Sequence, residues 1–309
     1  MDPLSDVLDL GRVNGALVAN IRASAPWGLD LPQRPAFHAI TSGTAWARVA
    51  GGEPLQLMPG DVLLLPAGVS HQLLSEPHAA SVPFDRSVKE REMSAEGDLA
   101  IGASGALTTF VCAAIDYDLD VAEPLMGQLP PVVHVPADPV EGRDVAALVE
   151  LVAMEVGARR PGSRAAAARL IDTRLITAIR HWLNRQTDSE VPSWLRALRD
   201  PVLAQAIGAL HARPAERWTV ESLAREAHVS RATLARRFAD VVGEPPLTYL
   251  TRWRMHVAAQ RLRYSTDTVG SIAREVGYTS EYAFNRAFAR HRGQPPGRYR
   301  TRASSSAHH

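Results

Sequence analysis

Lysine is all but missing from this chain: of its 34 basic residues, only Lys89 is not arginine. Arginine's planar fork favours bidentate contacts to phosphates and base edges. A genome rich in G and C would give the same bias, so this absence alone selects no function. Cysteine is nearly missing as well. Cys112 has no second cysteine to pair with, which excludes a disulfide within one chain. No hydrophobic run approaches the length of a membrane span, and no basic-then-apolar leader opens the sequence. A cytoplasmic protein with no membrane partner is therefore expected.

What is present is ordinary for a globular protein: 309 residues, 46% of them hydrophobic and 22% charged. That length makes two domains the default. The formal net charge of +1 conceals an asymmetry. From Pro201 onward there are 17 arginines, no lysine and 8 acidic residues, so the first 200 residues carry a balance of −8. A basic segment behind an acidic one suits a polyanion partner for the C-terminal part alone.

That basic segment contains one pattern twice. Thr219 to Pro246 reads TVESLAREAHVSRATLARRFADVVGEPP, and Thr268 to Pro296 reads TVGSIAREVGYTSEYAFNRAFARHRGQPP. The register is 49 residues up to a one-residue insertion near Thr279 and 50 after it. An insertion that falls in a turn and leaves both flanks aligned points to a duplicated structural unit. In copy one Thr219 is the expected N-cap, and Val220, Leu223, Ala224 and Ala227 follow at helical spacing. His228 and Val229 form a turn, Ser230 caps a second helix, and Leu234 and Phe238 share its inner face. Copy two repeats this with Ser280, Phe284 and Phe288. Each copy thus predicts a helix-turn-helix, over residues 219–239 and 268–290, whose second helix enters the DNA major groove. The outward residues are Arg231, Ala232, Thr233, Ala235 and Arg236 in copy one. In copy two they are Ser280, Glu281, Tyr282, Asn285 and Arg286. Arg and Asn read guanine and adenine edges by bidentate hydrogen bonds. A plain helical bundle with solvated arginines is the competing reading, and a tandem basic pair in matched register argues against it. Leu247 to Tyr264, without a breaker, predicts one connecting helix of about 25 Å that holds the heads apart.

The N-terminal part is different. Short β-type runs at Phe37–Ile40, Ala45–Val49, Pro54–Leu57, Asp61–Leu65, His71–Leu74 and Leu107–Ile115 alternate with Gly/Pro turns, which predicts a sandwich or barrel. Residues 75–106 are polar and are expected as a long surface loop. The run PGDVLLLPAGVSH, Pro59 to His71, is similar to the second sequence motif of the cupin family, and FHAITSGTAWARV, Phe37 to Val49, resembles a degenerate first motif. Metal-binding cupins carry two histidines and a glutamate in that first motif. Here His38 is followed by Ala39 and Ile40, and no acid precedes Glu53. No bound metal and no cofactor are expected. His38 and His71 read as strand-end histidines that could approach each other across the barrel. With Trp46 they outline the expected effector pocket. Cys112 has two readings, a small core residue or an oxidant-sensing thiol. No His or Arg adjoins it in sequence to acidify it, which favours the first.

Between the two parts, residues 136–199 predict a helical hairpin and a linker. Ile171, Leu175, Ile179 and Trp182 belong to an apolar stripe wider than one helix needs. A homodimer seam through residues 141–186 is expected, with cover by the barrel as the alternative.

The C-terminal residues carry a further resemblance. SLAREAHVSRATLARRF, RWRMHVAAQRLR and SIAREVGYTSEYAFNRAFARHRGQPPGRYR resemble the DNA-binding domain of AraC/XylS-family transcription regulators. The cupin-like part is similar to the sensor half of one subgroup. The resemblance implies an α+β chain: a cupin-like β-barrel (1–135), the helical hairpin and linker (136–199), an all-α domain with two helix-turn-helix motifs joined by a linker helix (200–302), and a disordered tail (303–309). It implies an effector-responsive transcription factor, expected as an activator, with partners in promoter DNA, RNA polymerase and an unknown small molecule. Some members of that subgroup sense oxidants through paired cysteines; with Cys112 alone, a disulfide switch within one chain is excluded. No enzymatic activity is expected. The alternatives are a cupin-type metal-dependent enzyme with an accessory helical domain, and a non-specific nucleic-acid binder.

Overall fold

The computed structural model describes residues 3–10, 16–85, 98–115, 126–137, 147, 151–155, 160–187, 191 and 193–306. The chain divides into two compact units, each discontinuous in sequence. One comprises Val13–Tyr117 and Leu129–Thr187; the other comprises Met1–Arg12, Asp118–Gln128 and Asp188–His309.

The first unit holds the strands: β1 (Ala16–Ser24), β2 (Gly28–Leu31), β3 (Ala36–Ser42), β4 (Ala45–Val49), β5 (Leu55–Leu57), β6 (Val62–Leu65), β7 (His71–Leu74), β8 (Val82–Pro83), β9 (Asp98–Gly102), β10 (Leu107–Ile115) and β11 (Val133–Val135). They form a six-stranded sheet in the order β11-β6-β3-β10-β1-β9 and a five-stranded sheet in the order β5-β4-β7-β2-β8. Alternate residues of both sheets meet in one core that includes Ile21, Trp27, Leu29, Ile40, Ala47, Leu57, Leu63, Leu73 and Phe110. The strands expected from alternation are present. The segment 75–106, expected as a loop, contains β8 and β9. In β9, Leu99 is fully buried, and the strand runs parallel to β1 at the sheet edge. A strand of five residues with charge around it carries too little periodicity to show itself.

The Pro59-Gly60-Asp61 turn is pinned by a carboxylate. Asp61 accepts from the Met58 N–H at 3.0 Å, the Ala137 N–H at 2.7 Å and His134 Nε2 at 3.1 Å. These bonds hold its acid below the usual range against the opposing effect of burial. They tie the turn before β6 to the end of β11.

Helix α2 (Ser163–Arg185) has the predicted limits. Its stripe of Ala167, Ile171, Leu175, Ala178, Ile179 and Trp182 is buried against β1, β6 and β11 of the same chain. The sheet covers the face that was expected to form a dimer seam. Leu170, Ile176 and Leu183 remain half-buried. Most of the hairpin's first helix lies outside the described residues, apart from a helical turn at 151–155.

The second unit is helical: α1 (Pro3–Leu10), α3 (Ser193–Arg199), α4 (Pro201–Ala212), α5 (Val220–Glu226), α6 (Arg231–Val242), α7 (Pro246–Tyr264), α8 (Val269–Glu275), α9 (Glu281–Arg292) and α10 (Pro296–Ser306). Residues 303–306, expected as disordered tail, belong to α10. Helix α4 starts as its sequence dictates, with Asp200 Oδ1 accepting from the N–H groups of Val202 and Leu203 and Pro201 in the first turn. The sequence carries the same Asp-Pro pair, Asp2-Pro3, at the start of helix α1, a signal not singled out above. This helix buries Leu4 and Val7 and packs on α4 and α7.

Candidate nucleic-acid interface

The two heads are built by the same backbone devices. Thr219 accepts from Ser222 N–H and Ser222 returns a bond to Thr219 N–H, each at 3.0 Å, a closed capping box. Thr268 caps α8 through Ser271 N–H at 3.2 Å. Ser230 caps α6 through Thr233 N–H at 3.1 Å, and Ser280 caps α9 through Ala283 N–H at 3.3 Å. Both turns are Schellman motifs. In copy one, Val229 N–H reaches Ala224 O and His228 N–H reaches Arg225 O. In copy two, Tyr278 N–H reaches Ala273 O and Gly277 N–H reaches Arg274 O. The inserted residue follows this motif, so neither core is disturbed.

The turns differ at their left-handed residue. His228 adopts φ 56°, whereas copy two has Gly277 at φ 88°. A Cβ at Gly277 would lie 2.9 Å from Ala215 Cα, in the loop between α4 and α5. The second head's turn therefore rests directly on the first head. Arg254 of α7 braces this contact by donating to Pro214 O at 2.7 Å and Glu216 O at 2.9 Å. Helix α7, of 19 residues and about 27 Å by its rise, was expected to hold the heads apart. It lies between them while their loops touch.

Each inner face is closed. Phe284 and Phe288 of α9 pack with Met255, Leu262, Ile272, Val276 and Tyr299. In the first head Leu234 and Phe238 are fully buried, and Phe238 meets Tyr249 edge-on. Beneath them lies a buried polar chain that sequence did not reveal. Trp194 Nε1–H donates to Tyr249 Oη at 2.9 Å, His211 Nε2 lies 2.7 Å from the same oxygen, and Asp6 of α1 lies 3.3 Å from His211 Nδ1. His211 stacks on Trp253 with ring centroids 3.5 Å apart. Burial lowers its pKa, with Asp6 opposing.

The outer faces carry the expected residues. Arg236 and Ala232 are exposed, while Ala235 and Thr233 are half-buried, Thr233 bonded to Ser230 Oγ at 2.8 Å. Arg237 turns away to Asp200, 2.9 Å distant. On α9, Tyr282 is 71% exposed, and the Arg286 guanidinium lies 5.8 Å from its ring centroid. Asn285 is half-buried beside them. One of the expected readers is ion-paired within the protein, and another lies back over its leading helix. Arg231 Nε lies 2.5 Å from Glu221 Oε1. Glu281 Oε2 lies where a Cβ on Gly270 would be only 2.7 Å away. Glu221 was not singled out from sequence. Its signal was available, because Glu221 and Gly270 are the same position of the repeat.

Inside the strand unit, the structure brings three expected residues together. Strand pairing sets His38 opposite Cys112. Cys112 Sγ lies 2.7 Å from His38 Nδ1, and His38 Nε2 lies 2.8 Å from His71 Nε2. His71 Nδ1 donates to Val69 O at 2.8 Å. That carbonyl can only accept, so with neutral rings the order is fixed. His71 Nε2 accepts from His38, and His38 Nδ1 accepts from the Cys112 thiol. Burial lowers both histidines, His38 with a further contribution from His71, and raises the thiol. The histidine that sequence neighbours did not supply is supplied across the sheet, yet the thiol is held protonated. The residues do not suit a metal ion. His38 turns its two nitrogens to different partners, so the three donors form a line rather than converge. Among the described residues no group of three ligating side chains is placed for one. Trp46 does not join this set. Ala45 and Ala47 face the core, and Trp46 lies on the opposite face of β4, paired with Gln56 and Leu74.

Residues 2–184 match the cupin family, and residues 223–302 match a helix-turn-helix domain. A protein of Streptomyces lividans described as an AraC-like transcription regulator is 40% identical over 303 residues, 97% of this chain and 98% of that one. The RCS-specific HTH-type transcriptional activator RclR of Escherichia coli is 32% identical over 313 residues, 99% and 100% of the two chains. The DNA-binding domain of AdpA, solved in complex with a target DNA, is 33% identical. It covers 35% of this chain and 96% of its own, with a TM-score of 0.33. A cupin-type domain followed by a paired helix-turn-helix module defines a DNA-binding transcription regulator. The chain belongs to the AraC-like family of these regulators.

Proposed function

We propose that α6 and α9 enter successive major grooves on one face of promoter DNA, with Arg236, Asn285, Arg286 and Tyr282 as the residues that read it. The observation that carries this reading is the pairing of two exposed helix faces whose inner faces, caps and turns are superposable in sequence and built alike. Successive grooves lie about 34 Å apart, a separation a helix of α7's length can bridge. The Gly277–Ala215 contact and the Arg254 brace support a fixed register between the heads. In this reading the strand unit binds a small effector in the cytoplasm and shifts the balance between two arrangements of the chain. His38, His71 and Cys112 are the groups through which an effector would be felt. Contact with RNA polymerase and a homodimer complete the proposal. The dimer surface would lie outside the buried stripe of α2. The donor geometry gives no support to a metal-dependent enzyme. Genome-wide mapping of bound sites supplies the operator. Binding to that operator and to random DNA is then measured at rising salt. A specific complex outlasts the random one; equal loss of both makes the chain a non-specific binder.

A further inference from the structure

The repeat places one carboxylate at the first turn of the leading helix in both heads, but takes it from different positions. In head one it is Glu221, the second residue of α5, which reaches Arg231 at the start of α6. In head two that position is Gly270, and Glu281, at the start of α9, extends its carboxylate over it. The recognition helix therefore opens with a tethered cation in head one and with an acid in head two.

We propose that Glu221 limits how much of head one's positive charge DNA can use, by holding Arg231 in an ion pair that a phosphate must displace. This rests on the reading of α6 as a DNA-facing helix. Arg231 and Glu221 are both well exposed, so the pair is weak and water competes with it. The limit is correspondingly graded: Arg231 contributes to binding, but at a discount set by Glu221. Arg236, one turn further along α6, has no such acid among the described residues. Glu221 is then a residue that tunes specificity without touching a base, because a freed Arg231 would strengthen binding to any phosphate chain.

The test is a double-mutant cycle on the full chain, Glu221→Gln and Arg231→Ala, read as affinity for random duplex DNA against salt. Glu221→Gln is expected to raise affinity about two- to fivefold, the range an exposed pair allows, and to steepen the salt slope by about one. In the Arg231→Ala background the same change should leave the slope unaltered. An equal slope change in both backgrounds would mean that Glu221 merely repels DNA, and no change in either would mean that the pair restrains nothing; either overturns the proposal. Arg236→Ala separates the two levels of the argument. If it too leaves binding unchanged, α6 does not face DNA. If it weakens binding while the cycle is flat, only the role of Glu221 falls.

Discussion

The two heads share caps, turns and core positions, and differ in what surrounds them. Head one is embedded. Its core is continued by α1, α3 and the Asp6–His211–Tyr249–Trp194 chain, and its recognition helix is tied to neighbours through Arg231 and Arg237. Head two closes its core on α7 and α10, touches head one at the Gly277 turn, and offers a Tyr282–Arg286 pair with the guanidinium over the ring. A duplicated backbone has been kept while side-chain duties diverged. One copy is the anchored half of the module, and the other has the richer reading surface.

The largest expected effect tests the contact between the heads. Gly277→Ala meets both a left-handed φ and the Ala215 backbone, and should destabilise the module by about 2–4 kcal/mol. His228→Gly, at the matching position, should stay within about 1 kcal/mol in thermal unfolding. Similar losses at both sites would show that the heads do not rest on each other.

Reading power comes next. Arg286→Ala should cost about 1–3 kcal/mol of operator affinity and relax preference at one base position. Arg236→Ala should act more evenly on all sequences. The reverse pattern would invert the assignment of the richer head.

Acid should also separate them. His211 is lowered by burial, so the unfolded chain takes up its proton first and stability falls as pH drops below about 6.5. The loss is at most about 1.4 kcal/mol per pH unit. Hydrogen exchange should show α4 losing protection before α8, and His211→Gln should remove the difference. The smallest effect is Tyr282→Ala, about 0.5–1 kcal/mol of operator affinity if the ring only steadies Arg286. Tyr282→Phe should restore it; failure of the phenylalanine to do so would assign the hydroxyl a contact of its own.

The heads were legible because periodicity, caps and a repeat agree there. Thr219, Ser230, Leu234 and Phe238 each say the same thing in the sequence and in the fold. The strand unit was legible where an apolar run is bounded by Gly and Pro turns, whatever its length. β6 and β7, four residues each on either side of Pro66 and Gly68, showed themselves; β9 and β1 did not, since Asp98–Gly102 follows a charged stretch and Ala16–Ser24 mixes Asn and Arg into its apolar run. The approach of His38 to His71 was expected from the strand ends they occupy, but the place of Cys112 beside His38 was not, because strand pairing joins residues 74 positions apart. Nor was Asp61's grip on Ala137, which acts across 76 positions. Trp46 was placed in the pocket by residue type. Its strand parity, odd positions inward, already turned it away.

Helix α1 gives the molecule a schedule. Its partner His211 is 205 positions downstream of Asp6. On a ribosome adding about 5–20 residues per second, Leu4 and Val7 wait on the order of 10–40 s for the surface that will bury them. A segment made early is housed late, and head one is finished only once α4 and α7 have followed it.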